Sequence, residues 1–365
     1  MQAAKAMARG WKKSRPEDAL TLLPISDGGD GFGSLLAKLL KAQRKRVASP
    51  DPSFGDSDYN WWLSTTTKTA IIESAEIIGL AKLKQHTKLN PMRLDTRGVG
   101  HALNRIESTM KRQQQPPLHV IIGIGGSATN DGGFGLAREL GWRFKDKSGN
   151  EIERWPDLRS LKQIIRPNSK NNTITGLKDV TVAVDVQNPL LGFDGCSRVY
   201  GPQKGLKKTD LPRAEAALGR LAEVWETQSG VDAANLPGAG AAGGLGFGLH
   251  CFASAKIRSG FEIYAEAAEL PQILNNMDMV ITGEGAMDRQ TVMGKGVGEL
   301  AKLASKKNCS CIGLAGQLAD AAKLRQLFSQ CGSLTQLTPA KNALAKPGYW
   351  LAKLAEKTAA NLQLT

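Results

Sequence analysis

Short apolar runs rich in β-branched residues alternate along the chain with amphipathic segments, and most of the runs end in a glycine-rich loop. Such runs are typical of buried strands, and the amphipathic segments are typical of the helices that cover them. The runs that show this pattern lie at positions 21–25, 69–72, 119–124, 279–282 and 311–314. The alternation of strand, loop and helix predicts an α/β fold with a mainly parallel sheet.

The segment 150–274 separates the third of these strands from the fourth and has a strand (181–186) and a helix (211–225) of its own. A chain of 365 residues is also longer than one hydrophobic core usually supports. We therefore predict two α/β domains. One is discontinuous and consists of residues 1–149 and 275–365, and the other, residues 150–274, is inserted into it.

The net charge of +14 is spread over the chain, with its densest clusters at 41–46, 204–208 and 302–307. The first and last clusters fall at the ends of helical patterns, where cations favour the helix dipole. Because neither interleaved aromatic residues nor a nucleic-acid motif accompanies the clusters, this structural role at helix ends is favoured over a nucleic-acid surface.

The five cysteines are scattered and none has metal-site or redox spacing, which indicates a reducing compartment. The sequence has no signal-peptide pattern and no run of the roughly 20 apolar residues that a membrane helix needs. We therefore expect a cytoplasmic protein that does not bind membranes.

The loop 26–31 carries two carboxylates, Asp27 and Asp30, among glycines. Two acids do not suit a loop that cradles bare phosphates, so the pair indicates a magnesium ion, a hydroxyl group or lysines as the ligand. The alternative is a structural role, in which the aspartates form turns and cap the following helix.

The loop 125–133 is the richest candidate because so much glycine after a buried strand is more than helix capping requires. Its small residues can turn backbone N–H groups towards an anion, its hydroxyl groups can donate hydrogen bonds, and its aspartate can accept a proton or hold a metal. The candidates here are Gly125, Gly126, Ser127, Thr129, Asn130 and Asp131.

Asp185 interrupts an otherwise apolar strand, and a buried carboxylate must be paired or functional because an unpaired one is costly. Asn188 follows in the same motif. Lys204, in the motif 200–205, is a possible partner of Asp185, either directly or through a shared phosphate.

Residues 238–244 match the pattern G-x-G-x-x-G, but no strand precedes them, so the context of a dinucleotide-binding loop is missing. Gly240, Gly243 and Gly244 can serve close packing of a helix on another backbone, or they can bind a triphosphate at a helix start. The sequence leaves both interpretations open.

The segment 280–296 places Glu284 and Asp288 after a strand and Lys295 at the start of a helix. It is not a Walker A loop, because the first glycine and the hydroxyl residue after the lysine are missing. The segment still supplies carboxylates for magnesium and a cation for phosphate within one turn. The alternative is an ordinary surface ion pair.

Together these motifs make the chain resemble the bacterial glycerate kinase family. The resemblance runs in order through residues 23–31 (LPISDGGDG), 122–133 (IGIGGSATNDGG), 185–190 (DVQNPL), 200–205 (YGPQKG), 238–244 (GAGAAGG) and 280–295 (VITGEGAMDRQTVMGK). It implies phosphorylation of D-glycerate to 2-phosphoglycerate or 3-phosphoglycerate with ATP and Mg²⁺. It also implies that the discontinuous domain is flavodoxin-like.

Family members usually begin with a strand and an Asp-Ser-Phe-Lys-Gly-like loop, whereas Met1 here already belongs to the following helix. Either the start lies too late or the chain has lost part of its sheet and active site. A catalytically impaired binding or regulatory homologue is therefore the alternative function, and a kinase for another small acid is a milder one.

Phosphoryl transfer requires positioning of the reactants and neutralisation of charge, which suggests a role for each candidate. Magnesium is expected on some of Asp27, Asp30, Glu284 and Asp288. Lys204 and Lys295 are expected to stabilise the transferred group, and Asp185 or Asp131 to accept the proton of the hydroxyl group. The remaining candidates would bind substrate or phosphate: Gly125, Gly126, Ser127, Thr129, Asn130, Asn188, Gly240, Gly243 and Gly244.

Overall fold

The computed structural model describes residues 1–48, 58–83, 90–113, 118–168, 177–292 and 296–362. These residues divide into two compact units. Unit 1 consists of Met1–Ser26 and Tyr264–Thr365, and unit 2 is Asp27–Ile263.

The strands, in chain order, are β1 (Gln43–Val47), β2 (Tyr59–Ser64), β3 (Thr69–Glu73), β4 (Leu118–Gly123), β5 (Arg143–Asp146), β6 (Leu161–Ile165), β7 (Leu177–Val184), β8 (Lys256–Ser259), β9 (Met279–Thr282), β10 (Ala286–Met287), β11 (Ser310–Ala315), β12 (Gln317–Leu318) and β13 (Gln330–Ser333).

The α-helices are α1 (Gln2–Ser14), α2 (Phe32–Leu39), α3 (Ala75–Ile78), α4 (Leu80–Leu83), α5 (Arg97–Arg112), α6 (Phe134–Glu139), α7 (Cys196–Val199), α8 (Leu211–Ser229), α9 (Ala241–Ala253), α10 (Gly260–Ala267), α11 (Leu270–Leu274), α12 (Arg289–Val292), α13 (Gly296–Lys306), α14 (Ala321–Leu324), α15 (Ala340–Ala345) and α16 (Pro347–Ala360).

Unit 2 is organised around a sheet with the strand order β1-β2-β3-β4-β7-β8. Strands β3, β4, β7 and β8 run parallel, whereas β1–β2 and β2–β3 are antiparallel pairs. All residues of β3 are buried, as expected for a parallel strand covered on both faces. Because β3, β4 and β7 are adjacent and parallel, their carboxyl ends meet at one edge of the sheet.

The helices of unit 2 cover this sheet with apolar faces at helical spacing. In α5 the buried residues Val99, Leu103, Ile106 and Met110 recur every three or four positions and so lie on one side of the helix. A second part of the core is aromatic, where Phe252 packs edge-on against Trp142 and Trp225.

Unit 1 contains a three-stranded parallel sheet with the order β13-β11-β9. Its core includes Trp11 of α1, Ile312 and Leu314 of β11, and Leu354 of α16. The carboxyl ends of the three strands again lie at one edge. None of the helices in the described part of the chain has both the length and the apolar character needed to cross a bilayer.

The structure confirms the predicted α/β class with a mainly parallel sheet. The predicted strand at 21–25 is wrong, because these residues have no regular secondary structure and no strand pairing. Pro24 lacks an N–H group for a ladder, and its carbonyl accepts a hydrogen bond from the Tyr264 hydroxyl.

The two units do not coincide with the predicted domain boundaries at 149/150 and 274/275. Strands β3 and β4, from the first predicted domain, form a continuous sheet with β7 and β8, from the predicted insertion. The hydrogen bonds between β4 and β7 join the two segments, so the chain divides at 26/27 and 263/264 instead.

Candidate active site

Unit 2 contains a cavity of about 570 Å³ at the carboxyl ends of β3, β4 and β7. Glu73 is the last residue of β3, Gly125 and Gly126 come shortly after β4, and Asp185 directly follows β7. This edge of a parallel sheet is where α/β enzymes bind their ligands. The polar residues that line the cavity are Asp30, Glu73, Glu76, Lys82, Ser127, Asp185, Tyr200, Gln203 and Lys204.

Asp30 reaches the cavity because the loop 27–31 crosses directly over the loop that begins at Gly125. Gly126 has a φ of +73°, and a Cβ added to it would lie 2.3 Å from Asp30 Oδ1. A side chain at position 126 would therefore strain the backbone and displace the carboxylate. Asp30 and Gly126, both predicted site residues, lie together as a result.

Lys204 is a buried cation at the wall of the cavity, with 6% of its surface exposed. Its Nζ donates hydrogen bonds to Ser127 Oγ at 3.0 Å and to the Thr129 carbonyl at 2.7 Å. Burial lowers the pKa of the Lys204 ammonium to about 8, and nearby Cys196 and Asp131 oppose this shift. Lys204 is thus poised to change charge close to neutral pH.

Asp131 lies behind the cavity wall and has no exposed surface. Its Oδ2 accepts hydrogen bonds from Thr96 N, Thr96 Oγ1 and Gly135 N, each at 2.9 Å. Burial, together with the nearby Asp95, raises the pKa of the Asp131 carboxyl to about 6, against the opposing effect of the hydrogen bonds from Gly135 and Thr96. These contacts fasten the first turn of α6 to Thr96 at the start of α5.

Comparison with known proteins identifies the type of enzyme to which this site belongs. The sequence model of the Glycerate kinase family matches residues 1–363. The chain belongs to the glycerate kinase family. The glycerate kinase of Halalkalibacterium halodurans is 37% identical over 321 residues, which cover 88% of this chain and 82% of that protein.

Two further relatives support the assignment. The glycerate 2-kinase of Escherichia coli (strain K12) is 35% identical over 326 residues, covering 87% of this chain and 82% of the relative. The solved structure of a protein named glycerate kinase 2 from Salmonella typhimurium LT2 superposes with a TM-score of 0.73 and 32% identity, covering 98% of this chain and 93% of that one. The family and the enzyme class predicted from the sequence, an ATP-dependent phosphotransferase, are confirmed.

In this glycerate kinase family member, Asp27 and Asp185 both approach Gly29. A Cβ added to Gly29 would be 3.3 Å from Asp27 Oδ1 and 3.8 Å from Asp185 Oδ2. The Gly29 amide also donates to Asp27 Oδ1 at 3.3 Å. The loop 27–31 therefore brings a second carboxylate close to Asp185.

Three predicted binding residues are held in the wall by other side chains. Thr129 and Asn130 are fully buried, and Asn130 Nδ2 donates to Ser197 Oγ at 2.9 Å. Asn188 Oδ1 accepts from the Tyr200 hydroxyl at 2.6 Å. None of the three lines the cavity in the described part of the chain.

The glycines of the G-x-G-x-x-G match lie in close backbone contacts. A Cβ added to Gly240 would lie 2.1 Å from the Pro189 carbonyl, and one added to Gly243 would lie 2.1 Å from the Thr129 carbonyl. The contact of Gly244 is with Gly132 and the Leu190 side chain. Of the two interpretations that the sequence left open, this geometry favours packing, while the adjacent Ala241 and Ala242 line the cavity.

Glu284 and Asp288 belong to unit 1, whereas Asp27 and Asp30 belong to unit 2. The Thr291 hydroxyl donates to Glu284 Oε1 at 2.6 Å and accepts from the Asp288 amide at 3.1 Å. Lys295 lies outside the described residues. Within the described ranges, no three His, Cys, Asp or Glu side chains are grouped as a metal site.

The sequence analysis assigned no role to Glu73, Glu76, Lys82 or Tyr200, which line the same cavity, although Tyr200 belongs to the motif 200–205. Glu73 Oε1 accepts a hydrogen bond from the Gly31 amide at 2.5 Å and so anchors the loop that carries Asp30. Burial raises the pKa of the Glu73 carboxyl, and Glu76 and Asp30 add to the effect, against the hydrogen bond from Gly31. Its position as a charged residue at the end of a buried strand was the signal that could have revealed it.

We predict that Gly126→Ala lowers kcat/KM for phosphorylation at least about tenfold, equivalent to about 1.4 kcal/mol. The added methyl group collides with Asp30 Oδ1 and must displace that carboxylate from its present position. Steady-state kinetics of ADP release measures the loss.

Gly230→Ala is the matched control, because Gly230 has a φ of +74° but no atom within 4 Å of an added Cβ. Both changes carry the same backbone strain, of about 1–2 kcal/mol. Thermal unfolding should show a similar loss of stability for the two variants, and only Gly126→Ala should lose activity. Equal activity of both variants would contradict the placement of Asp30.

Proposed function

We propose that this chain transfers the γ-phosphoryl group of ATP to the C2 hydroxyl of D-glycerate, with Mg²⁺, to give 2-phosphoglycerate. The observation that carries the proposal is the cavity of unit 2, where Asp185 and the buried Lys204 face one space at the carboxyl ends of parallel strands. The name of the Escherichia coli relative, glycerate 2-kinase, supports C2 over C3.

Lys204 is suited to bind an anionic group of the substrate. An ammonium group has three protons, and two of them are used by Ser127 Oγ and the Thr129 carbonyl. The third can be donated to a carboxylate or phosphoryl oxygen in the cavity. Gly125 and Gly126 line the same space without side chains, so a small ligand can approach the backbone closely.

Asp185 is better placed than Asp131 to accept the proton of the substrate hydroxyl. Asp185 lines the cavity, whereas Asp131 is fully buried behind it. The oxygens of Asp131 are already occupied by N–H and O–H donors of the protein. A general base must reach the proton that it removes, so we assign this role to Asp185 and a structural role to Asp131.

The carboxylates in the cavity fit a magnesium ion that arrives with the nucleotide. Mg²⁺ usually binds proteins through one or two carboxylates and completes its shell with phosphate oxygens and water. Asp30 is the predicted ligand that lines the cavity, and Asp27 lies on the same loop. When bound, the ion would neutralise charge on the phosphate oxygens, and Glu284 and Asp288 of unit 1 remain proposed ligands.

The catalytically impaired binding or regulatory homologue is not favoured. The cavity retains a carboxylate, a buried cation and a glycine loop, which are the groups that phosphoryl transfer needs. All five cysteines are free, which supports a reducing cytoplasm as the place of the reaction.

We predict that the purified protein converts D-glycerate and ATP into a product that enolase dehydrates directly. 2-Phosphoglycerate is a substrate of enolase, whereas 3-phosphoglycerate must first be isomerised by a mutase. Absorbance of phosphoenolpyruvate, with and without added mutase, measures the difference. A signal that requires the mutase would move the transfer to C3, and no ADP release with glycerate would overturn the proposal.

We predict that Asp185→Asn lowers kcat at least about 100-fold, because general base catalysis contributes about 10²–10⁴ in rate. Asp179→Asn is the matched control, since Asp179 lies near the other end of β7 and pairs with Lys256 at the surface. The control should keep its kcat within about twofold. If Asp185→Asn stayed within about tenfold of the wild type, Asp185 could not be the base.

The value of kcat/KM should fall at alkaline pH because Lys204 loses its positive charge. The folded pKa of about 8 lies below the usual 10.5, so the cation is present below pH 8 and is lost as the pH rises through that value. We expect kcat/KM for glycerate to decrease about tenfold per pH unit above pH 8, measured with ADP detection.

Lys204→Arg tests whether Lys204 causes this decline in kcat/KM, because a guanidinium group keeps its charge throughout the pH range measured. Its residual activity should lose the decline above pH 8. A profile of the wild type that stays flat to pH 9.5 would show that the Lys204 charge is not needed for substrate capture.

A further inference from the structure

Unit 1 has a cavity of its own, of about 720 Å³, which the proposed roles above involve only through Glu284. It lies at the carboxyl ends of all three parallel strands of this unit. Gly283 follows β9, Gly316 follows β11 and Leu334 follows β13, and all three residues line the cavity. In a parallel sheet this edge is the expected place for a ligand.

One wall of this cavity is apolar. Leu314 and Leu334 are 2% and 6% exposed, and Ala343 and Leu351 add aliphatic surface from α15 and α16. D-glycerate has three carbons and three polar groups, so it has no part that benefits from such a wall. A flat aromatic base of a nucleotide does, because its faces are removed from water on binding.

Another part of the lining is basic. Lys5 and Arg9 of α1 line the cavity and are four residues apart, so they lie on the same side of the helix. Glu284 is the acidic residue of this lining. A cavity with an apolar wall and two cations matches a ligand that has an aromatic base at one end and phosphates at the other, and the volume lies within the usual range of about 300–1,000 Å³ for ligand sites.

The cavity of unit 2 has the opposite balance of charge. It is lined by four carboxylates, Asp30, Glu73, Glu76 and Asp185, and by two lysines, Lys82 and Lys204. Carboxylates repel the phosphates of a nucleotide unless a metal ion separates them. The phosphate chain is therefore expected to gain its attraction for the protein from the basic wall of unit 1.

We infer that the unit 1 cavity binds the adenine nucleotide, with the base on Leu314 and Leu334 and the phosphates towards Lys5 and Arg9. This inference rests on the proposed function, since it names the site of the phosphoryl donor. It assigns the acid-rich cavity of unit 2 to the hydroxy acid.

Two variants of the full-length protein test the two walls separately. Arg9→Glu reverses a charge at the basic wall, with Lys12→Glu as the control on the same helix outside the cavity lining. Ala340→Trp places an indole in the lining from an exposed position, with the neighbouring exposed Lys341→Trp as its control. Thermal unfolding shows that each variant is folded before it is used.

Isothermal titration calorimetry with ATP, in the absence of glycerate, gives the readout. Arg9→Glu and Ala340→Trp should each raise the Kd for ATP at least about tenfold, and the two controls should change it less than about twofold. The binding of inorganic tripolyphosphate, which lacks the base, should be weakened by Arg9→Glu and unaffected by Ala340→Trp.

The outcomes separate this inference from the proposed function. Unchanged ATP binding in both cavity variants would overturn the nucleotide site even if the wild type phosphorylates glycerate. Weakened ATP binding in both variants would support the site even if glycerate proved not to be the acceptor.

Discussion

The geometry of the unit 2 cavity depends on the buried ammonium group of Lys204. Burying a cation is costly unless acceptors surround it, and here Ser127 Oγ and the Thr129 carbonyl supply them. Both acceptors belong to the loop after β4, so one side chain fixes the distance between that loop and the segment 200–205. The lowered pKa of Lys204 is a consequence of the same burial. Structure and function are coupled at this residue, because the ammonium group that holds the loop through two hydrogen bonds can donate its third to an anionic ligand.

The acidic residues near this lysine fall into two groups that burial and hydrogen bonding distinguish. Asp131 accepts three hydrogen bonds on one oxygen and has no exposed surface, which is the environment of a residue that joins two helix starts. Asp30 and Asp185 line the cavity, where a ligand can reach them. Glu73 lies between these cases, since it anchors the Gly31 amide and also lines the cavity. The cavity therefore has a framework of satisfied carboxylates behind the ones that remain accessible.

Sequence reasoning found the residues whose chemistry conflicts with their surroundings. Asp185 in an apolar strand and the glycine loop at 125–133 were predicted for that reason, and the structure places Asp185, Gly125 and Gly126 at one cavity. It singled out Tyr200 only as part of the motif 200–205, and it did not select Glu73 although the end of a buried strand was a local signal. The predicted strand at 21–25 was wrong because a strand needs a partner that the local pattern does not specify. Strand pairing between β4 and β7, and its absence at 21–25, are long-range properties that local patterns do not contain.

The charges of the two cavities also explain why a kinase of this kind benefits from two units. A site that removes a proton from a hydroxyl group needs carboxylates, and a site that binds a triphosphate needs cations. Extra cations in the acid-rich cavity would pair with its carboxylates and weaken their interaction with ligands, because opposite charges at contact partly neutralise one another. Unit 2 concentrates carboxylates around Lys82 and Lys204, and unit 1 presents Lys5 and Arg9 in a cavity with an apolar wall. The chain therefore keeps an acid-rich cavity and a cavity with two cations at the carboxyl edges of separate sheets.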